Sequence, residues 1–277
     1  MWRWTQCFMT RLISGPFHNF STTHPQPTHL LDFSSFSPPS FPPARHPLHT
    51  ANPVKMGKLS RTGTSASTTS TSSAAELSSV VPASLTDPDL PLPRLIVFDL
   101  DYTLWPYWVD THVTPPLKAN AAHTAATDRY GEDFAFYQDV PLILQLLPRV
   151  AGSASTTTTA PIKLGVASRT SAVGVARDLL KMLHLPAVEG QQKARRAGDA
   201  FDAGTEIYPG SKIRHFETLQ KRTGIAYEDM LFFDDESRNM ETEKLGVTMR
   251  LIRDGLTWAE VEKGVEDWRK RRGYKKN

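Results

Sequence analysis

Apolar and polar positions divide this chain into two unlike parts. Up to about residue 90, Pro, Ser, Thr and His dominate, as in Phe36-Ser-Pro-Pro-Ser-Phe-Pro-Pro43 and the Ser/Thr tract from Thr62 to Ser73. Such a segment buries too little apolar surface to offset its ordering entropy, so residues 1–90 read as a disordered extension. From about Pro91 the pattern changes. The run Arg94-Leu-Ile-Val-Phe-Asp-Leu-Asp-Tyr-Thr-Leu104 opens as a continuous apolar stretch of the kind that forms a buried parallel strand. Ile162–Ala167, Met230–Phe233 and Val247–Ile252 repeat it. Between them lie helical patterns over Asp139–Val150, Ser171–Leu183, Ser211–Thr223 (stopped by Gly224) and Thr257–Arg271. Strands alternating with helices predict an α/β fold with a doubly wound parallel sheet over residues 91–273. Ser153–Ala160 and Pro186–Thr205, rich in small and polar residues, read as loops, the second a mobile one. The roughly sixty residues from Leu104 to Val166 are too few for a full cap domain with its own core.

Acidic side chains gather where the apolar runs stop. The first run delivers Asp99 and Asp101, and the third delivers Asp234-Asp235-Glu236. Side chains two apart on a strand share a face, so Asp99 and Asp101 project together if the strand geometry persists. Open α/β sheets place ligands outside the carboxyl ends of their strands. Adjacent carboxylates there need a hard cation or a shared proton, and acids after a buried strand suit oxygen coordination of a cation. The second strand ends in Ala167-Ser-Arg-Thr170. Ser168 has the hydroxyl and the following turn the N–H groups for a phosphate; taken alone, an N-cap for the next helix is the commoner role of such a residue, and Thr170 or Ser171 could fill it and leave Ser168 free. Lys212 opens a helix, an unfavourable place for a cation unless it faces an anion.

Composition narrows the chemistry. The single cysteine, Cys7, excludes a disulfide framework, a Cys-based zinc site and a cysteine nucleophile in the folded part. From Arg94 onward 26 basic residues face 25 acidic ones, so the folded part has no excess charge for nucleic acid. The Arg269–Arg272 cluster reads as a solvated helix end. No apolar run is long enough to span a membrane. The first 75 residues carry six Lys/Arg and one acid, Asp32, and resemble a mitochondrial transit segment, unless translation starts at Met56. The expected location is cytoplasmic, or mitochondrial if that segment is a leader.

Taken in order, Val97-Phe-Asp-Leu-Asp-Tyr-Thr-Leu-Trp-Pro106, Ala167-Ser-Arg-Thr170, Tyr208-Pro-Gly-Ser-Lys212 and Phe232-Phe-Asp-Asp-Glu236 resemble the eukaryotic magnesium-dependent phosphatases of the haloacid dehalogenase superfamily. The extension Trp105-Pro-Tyr-Trp-Val-Asp-Thr-His112 makes the resemblance specific, and it covers roughly Leu92–Ile252. It implies a Rossmann-like core with Asp99 as nucleophile and Asp101 as general acid and base. It implies Mg²⁺ held by Asp99, the backbone carbonyl of Asp101, and Asp234, with Asp235 outside the ligand shell. Lys212, Ser168 and the backbone around Leu100 and Arg169 would bind the phosphoryl group. The implied partner is a phosphorylated small molecule or phosphoprotein, such as phosphotyrosine or a sugar adduct. A catalytically idle phospho-binding module is the alternative. Of Tyr102, Trp105, Tyr107 and Trp108, two are expected in the core and the others at the entrance.

Overall fold

The computed structural model describes residues 80–150, 161–188 and 193–274. Expectations for the extension before residue 80 and for Ser153–Ala160 fall outside these residues. Five parallel strands form the central sheet: β1 (Leu95–Phe98), β5 (Lys163–Ser168), β8 (Gly204–Ile207), β9 (Met230–Asp234) and β10 (Thr248–Leu251), in the order β10-β9-β1-β5-β8. The chain runs outward from β1 through β5 to β8, then returns across β1 to β9 and β10. The strand order therefore reverses between β1 and β9, where doubly wound sheets leave a crevice.

Strand alternation sorts the core into two layers. Ile96, Phe98, Leu164, Val166, Leu231 and Phe233 face one side, with Leu179 and Leu180 of the Val173–Met182 helix and Val261, Val265 and Trp268 of the Trp258–Arg271 helix. Leu95, Val97, Met230 and Phe232 face the other, against Phe216 and Leu219 of the Lys212–Thr223 helix. Ser211 caps that helix by accepting from the Ile213 N–H at 3.1 Å. Gly224 ends it at φ 67°, a conformation glycine adopts without a Cβ penalty.

The structure corrects several expectations. The described residues of 186–205 are not simply a loop. Leu185 and Arg195 pair in a short antiparallel ladder of β6 (His184–Leu185) with β7 (Arg195–Arg196). Ala197 and Ala200 are buried, and β8 closes the edge of the sheet. The Asp139–Val150 helix is α-helical only over Val140–Leu146, and Pro148 lies in the tighter 3₁₀ turn that follows. The packed part also begins before residue 90. Val81 and Leu85 are buried, and Arg269 donates to the carbonyls of Ser84 and Pro91, both at 2.9 Å.

Between the first two motifs, β2 (Lys118–Ala119), β3 (Ala126–Thr127) and β4 (Asp133–Phe134) form a three-stranded antiparallel patch. Its buried residues, Ala126 and Phe134, belong to the main core, so it is not a cap domain with a core of its own.

Candidate active site

The site grows from the parity of two neighbouring strands. β1 and β9 run parallel in register, Phe98 opposite Phe233, and the Asp99 N–H donates to the Phe233 carbonyl at 2.9 Å. Asp99 follows Val97 by two residues and Asp234 follows Phe232 by two, so both acids lie on the face covered by the Lys212–Thr223 helix. Lys212 is the first residue of that helix and is 1% exposed. Its ammonium meets Asp99 Oδ1 at 2.6 Å and Asp234 Oδ2 at 3.0 Å, and also donates to the Ala167 carbonyl. The Phe232 ring lies beneath it, 5.1 Å away. The cation thus stands at a helix N-terminus because two buried carboxylates hold it there.

His215, which the sequence did not flag, supports this arrangement. Its Nδ1 and Nε2 each lie 3.0 Å from a carbonyl oxygen, of Ser211 and Tyr208, and its ring stacks on Tyr208 at 4.1 Å. The turn that presents Lys212 is therefore pinned by a buried ring.

Asp101 reaches the site by a different route. β1 stops at Phe98, and the chain turns, with the Leu100 carbonyl accepting from the Thr103, Leu104 and Trp105 N–H groups. Tyr102 sits at φ 51°, a left-handed conformation that costs a residue with a Cβ roughly 1 kcal/mol or more. The turn, rather than strand alternation, aims Asp101, whose Oδ1 accepts from Trp105 Nε1 at 2.8 Å and the Val109 N–H at 3.4 Å. Leu100 presents only its backbone here, its side chain being buried in the core. Trp105 and Tyr107 are core residues, while Trp108 is 48% exposed at the entrance, against the edge of Tyr102.

These groups line a cleft of about 270 Å³, with Asp99, Asp101, Ser168, Arg169, Lys212 and Asp235 on its walls. Glu236, Arg238, Asp110 and Trp108 stand around them. Ser168 is buried, and among the described residues its hydroxyl accepts only a long contact from the Thr170 N–H at 3.4 Å. Neither Thr170 nor Ser171 is the cap of the following helix. Ala172 holds that position, and the Ser171 hydroxyl donates to Asp110 at 3.2 Å.

Electrostatics single out a shortage of positive charge. Burial pushes the Asp99 carboxyl up to about 8 against the pull of Lys212, with Asp234 and Asp101 adding to the rise. Burial likewise pushes Asp101 to about 6, opposed by the hydrogen bonds from Trp105 and Val109. Asp235 also rises to about 6 through burial and Asp234. Burial works against the Lys212 charge, yet Asp99 and Asp234 outweigh it and hold the ammonium above its usual range.

Oxygens of Asp99, Asp234 and Asp235 lie within 4.8 Å of one another. Three clustered carboxylates, two of them sharing one ammonium, offer oxygen donors that fit a hard dication. Asp235 is the third member of this cluster.

The profile of the acid phosphatase family matches residues 91–271. Human magnesium-dependent phosphatase 1 is 42% identical over 180 residues, covering 65% of this chain and 89% of that protein. A haloacid dehalogenase-like hydrolase superfamily protein of Schizosaccharomyces pombe is 41% identical over 161 residues, 58% of this chain and 86% of its own length. With the motifs gathered at one crevice and the match spanning all five strands of the central sheet, the chain belongs to the acid phosphatase family, the magnesium-dependent phosphatases of the haloacid dehalogenase superfamily.

Proposed function

We propose that this protein hydrolyses phosphate monoesters through an aspartyl-phosphate formed on Asp99. One observation carries the reading. Lys212 pins Asp99 Oδ1 at 2.6 Å, while among the described residues nothing hydrogen-bonds the second oxygen of this acid on the cleft wall. An oriented carboxylate with a free oxygen is a nucleophile held for in-line attack.

In the first step an Asp99 oxygen bonds to phosphorus as the ester oxygen leaves, taking a proton from the Asp101 carboxyl. In the second, Asp101 accepts a proton from water as that water attacks phosphorus. The Asp99–phosphate bond then breaks and inorganic phosphate departs. Lys212 and Ser168, with the backbone N–H groups around Leu100 and Arg169, bind the phosphoryl oxygens. Asp99, Asp234 and the main-chain carbonyl of Asp101, with Asp235 beside them, would hold Mg²⁺, which would supply charge neutralisation for the phosphoryl group and the crowded carboxylates. A carboxyl pushed to about 6 suits Asp101 to give and take protons near neutrality.

The absence, among the described residues, of a cap domain with its own core, together with the exposed Trp108, favours a bulky substrate, either phosphotyrosine on a protein or a phosphorylated sugar adduct. The test is release of nitrophenol from para-nitrophenyl phosphate by the full chain, with and without Mg²⁺. Magnesium-dependent release supports the reading. A folded, magnesium-loaded protein that releases nothing from this ester or from phosphotyrosine peptides leaves a phospho-binding module in its place.

A further inference from the structure

We propose that Asn239 is a positioning residue for this site, a single amide on which both divalent-cation affinity and oxyanion affinity depend. The inference rests on the phosphatase reading and adds two assignments to it. Asn239 lies in the 3₁₀ segment Ser237–Leu245 after β9 and is 1% exposed. Its Nδ2 donates to both carboxylate oxygens of Asp234, each at 2.9 Å. Its Oδ1 accepts from Arg169 Nη1 at 3.2 Å. A carboxylate only accepts and a guanidinium only donates, so the amide has one workable orientation. Turned over, it would set oxygen against the carboxylate and NH₂ against the guanidinium. Its own backbone is held too, with its N–H donating to the Glu236 carbonyl at 3.0 Å and its carbonyl accepting from the Thr242 hydroxyl at 3.0 Å.

Arg169 gives this bridge its functional meaning. Of the cations on the cleft wall, Lys212 is shared by Asp99 and Asp234, and Arg238 is clamped on Glu236 at 2.6 and 2.7 Å. Among the described residues Arg169 has no carboxylate partner and is docked only on the Asn239 oxygen. Its remaining N–H donors are the uncommitted positive charge of the cleft, available to an oxyanion of the substrate. Asn239 holds that guanidinium at one end while fixing the plane of Asp234 at the other. Partners that orient a ligating carboxylate commonly control metal affinity by about 10–100-fold.

The test uses the full chain and two binding measurements that need no turnover. Mg²⁺ is titrated calorimetrically without substrate, and inorganic phosphate is then titrated at saturating Mg²⁺. Asn239→Ala should weaken Mg²⁺ by on the order of 10-fold and weaken phosphate as well. Arg169→Gln should weaken phosphate and leave Mg²⁺ affinity unchanged. An Asn239→Ala protein that melts cooperatively and binds both ions with wild-type constants overturns the proposal. If Asn239→Ala does not fold, Asn239→Ser replaces it under the same criteria, and unchanged phosphate affinity in Arg169→Gln alone overturns it. Failure of the wild-type protein to bind Mg²⁺ or hydrolyse any ester would instead sink the phosphatase reading itself.

Discussion

The ends of β1 and β9 carry two acids on either side of one ammonium, yet the protein treats them oppositely. Asp234, at the end of β9, is fully buried and receives donors on both oxygens, from Lys212, Asn239 and the Glu236 N–H at 2.7 Å. Asp99, at the end of β1, has one oxygen on Lys212 and faces the cleft with the other. A carboxylate saturated with donors is fixed and weakly nucleophilic. One held by a single strong contact keeps its direction and its reactive lone pairs. Neighbouring strands of one sheet thus supply a fixed acid and a reactive acid from the same residue type, and the difference lies in what surrounds each end.

The largest expected effect comes from erasing the reactive member. Asp99→Asn should lower kcat by roughly 10⁴-fold or more with the fold retained, read by steady-state kinetics beside circular dichroism. Near-normal turnover would remove Asp99 from the chemistry. Asp101→Asn should cost about 10²–10⁴-fold in kcat, less for esters with good leaving groups such as nitrophenol than for alkyl phosphates. Equal losses across leaving groups would argue against proton donation by Asp101.

Removing the shared cation strikes both acids at once. Lys212→Met strands two buried carboxylates, a change that typically costs about 3–5 kcal/mol. Thermal melts should show that loss and its partial recovery on adding Mg²⁺. A variant as stable as wild type without the cation would contradict the charge shortage inferred for the cluster.

The smallest effect sharpens the comparison on the β1 side. Asp101 is pushed up to about 6, so its proton is present below that pH and lost above it. kcat/KM should therefore fall as pH rises through about 6. The Trp105 hydrogen bond favours the ionised form, so Trp105→Phe should move this alkaline limb to higher pH. A limb that stays in place would show that another group sets it.

Much of this was legible in the chain because buried strands announce themselves. The apolar runs ending at Asp99, Ser168 and Asp234 located three strand ends, and Ser211 and Gly224 bounded the helix that carries Lys212. The misses share a physical cause. β8, Gly204-Thr-Glu-Ile207, is a four-residue edge strand with one large apolar side chain, so no apolar run marks it. The patch of β2, β3 and β4 is built of two-residue strands, too short for a period to show. Asn239 and His215 are isolated polar residues whose partners are set by the folded turns around them, and a lone polar residue leaves no pattern. Asp101 reached its place through a turn that strand alternation does not describe.

A covalent bond to Asp99 can be trapped. The full chain is mixed with substrate and Mg²⁺, quenched in acid within milliseconds, digested and read by mass spectrometry. The expected result is a phosphoryl group on the peptide containing Asp99, absent from Asp99→Asn and accumulating in Asp101→Asn when the leaving group departs without help. Full turnover with no phosphoryl adduct at any quench time, or an adduct on another residue, would contradict it.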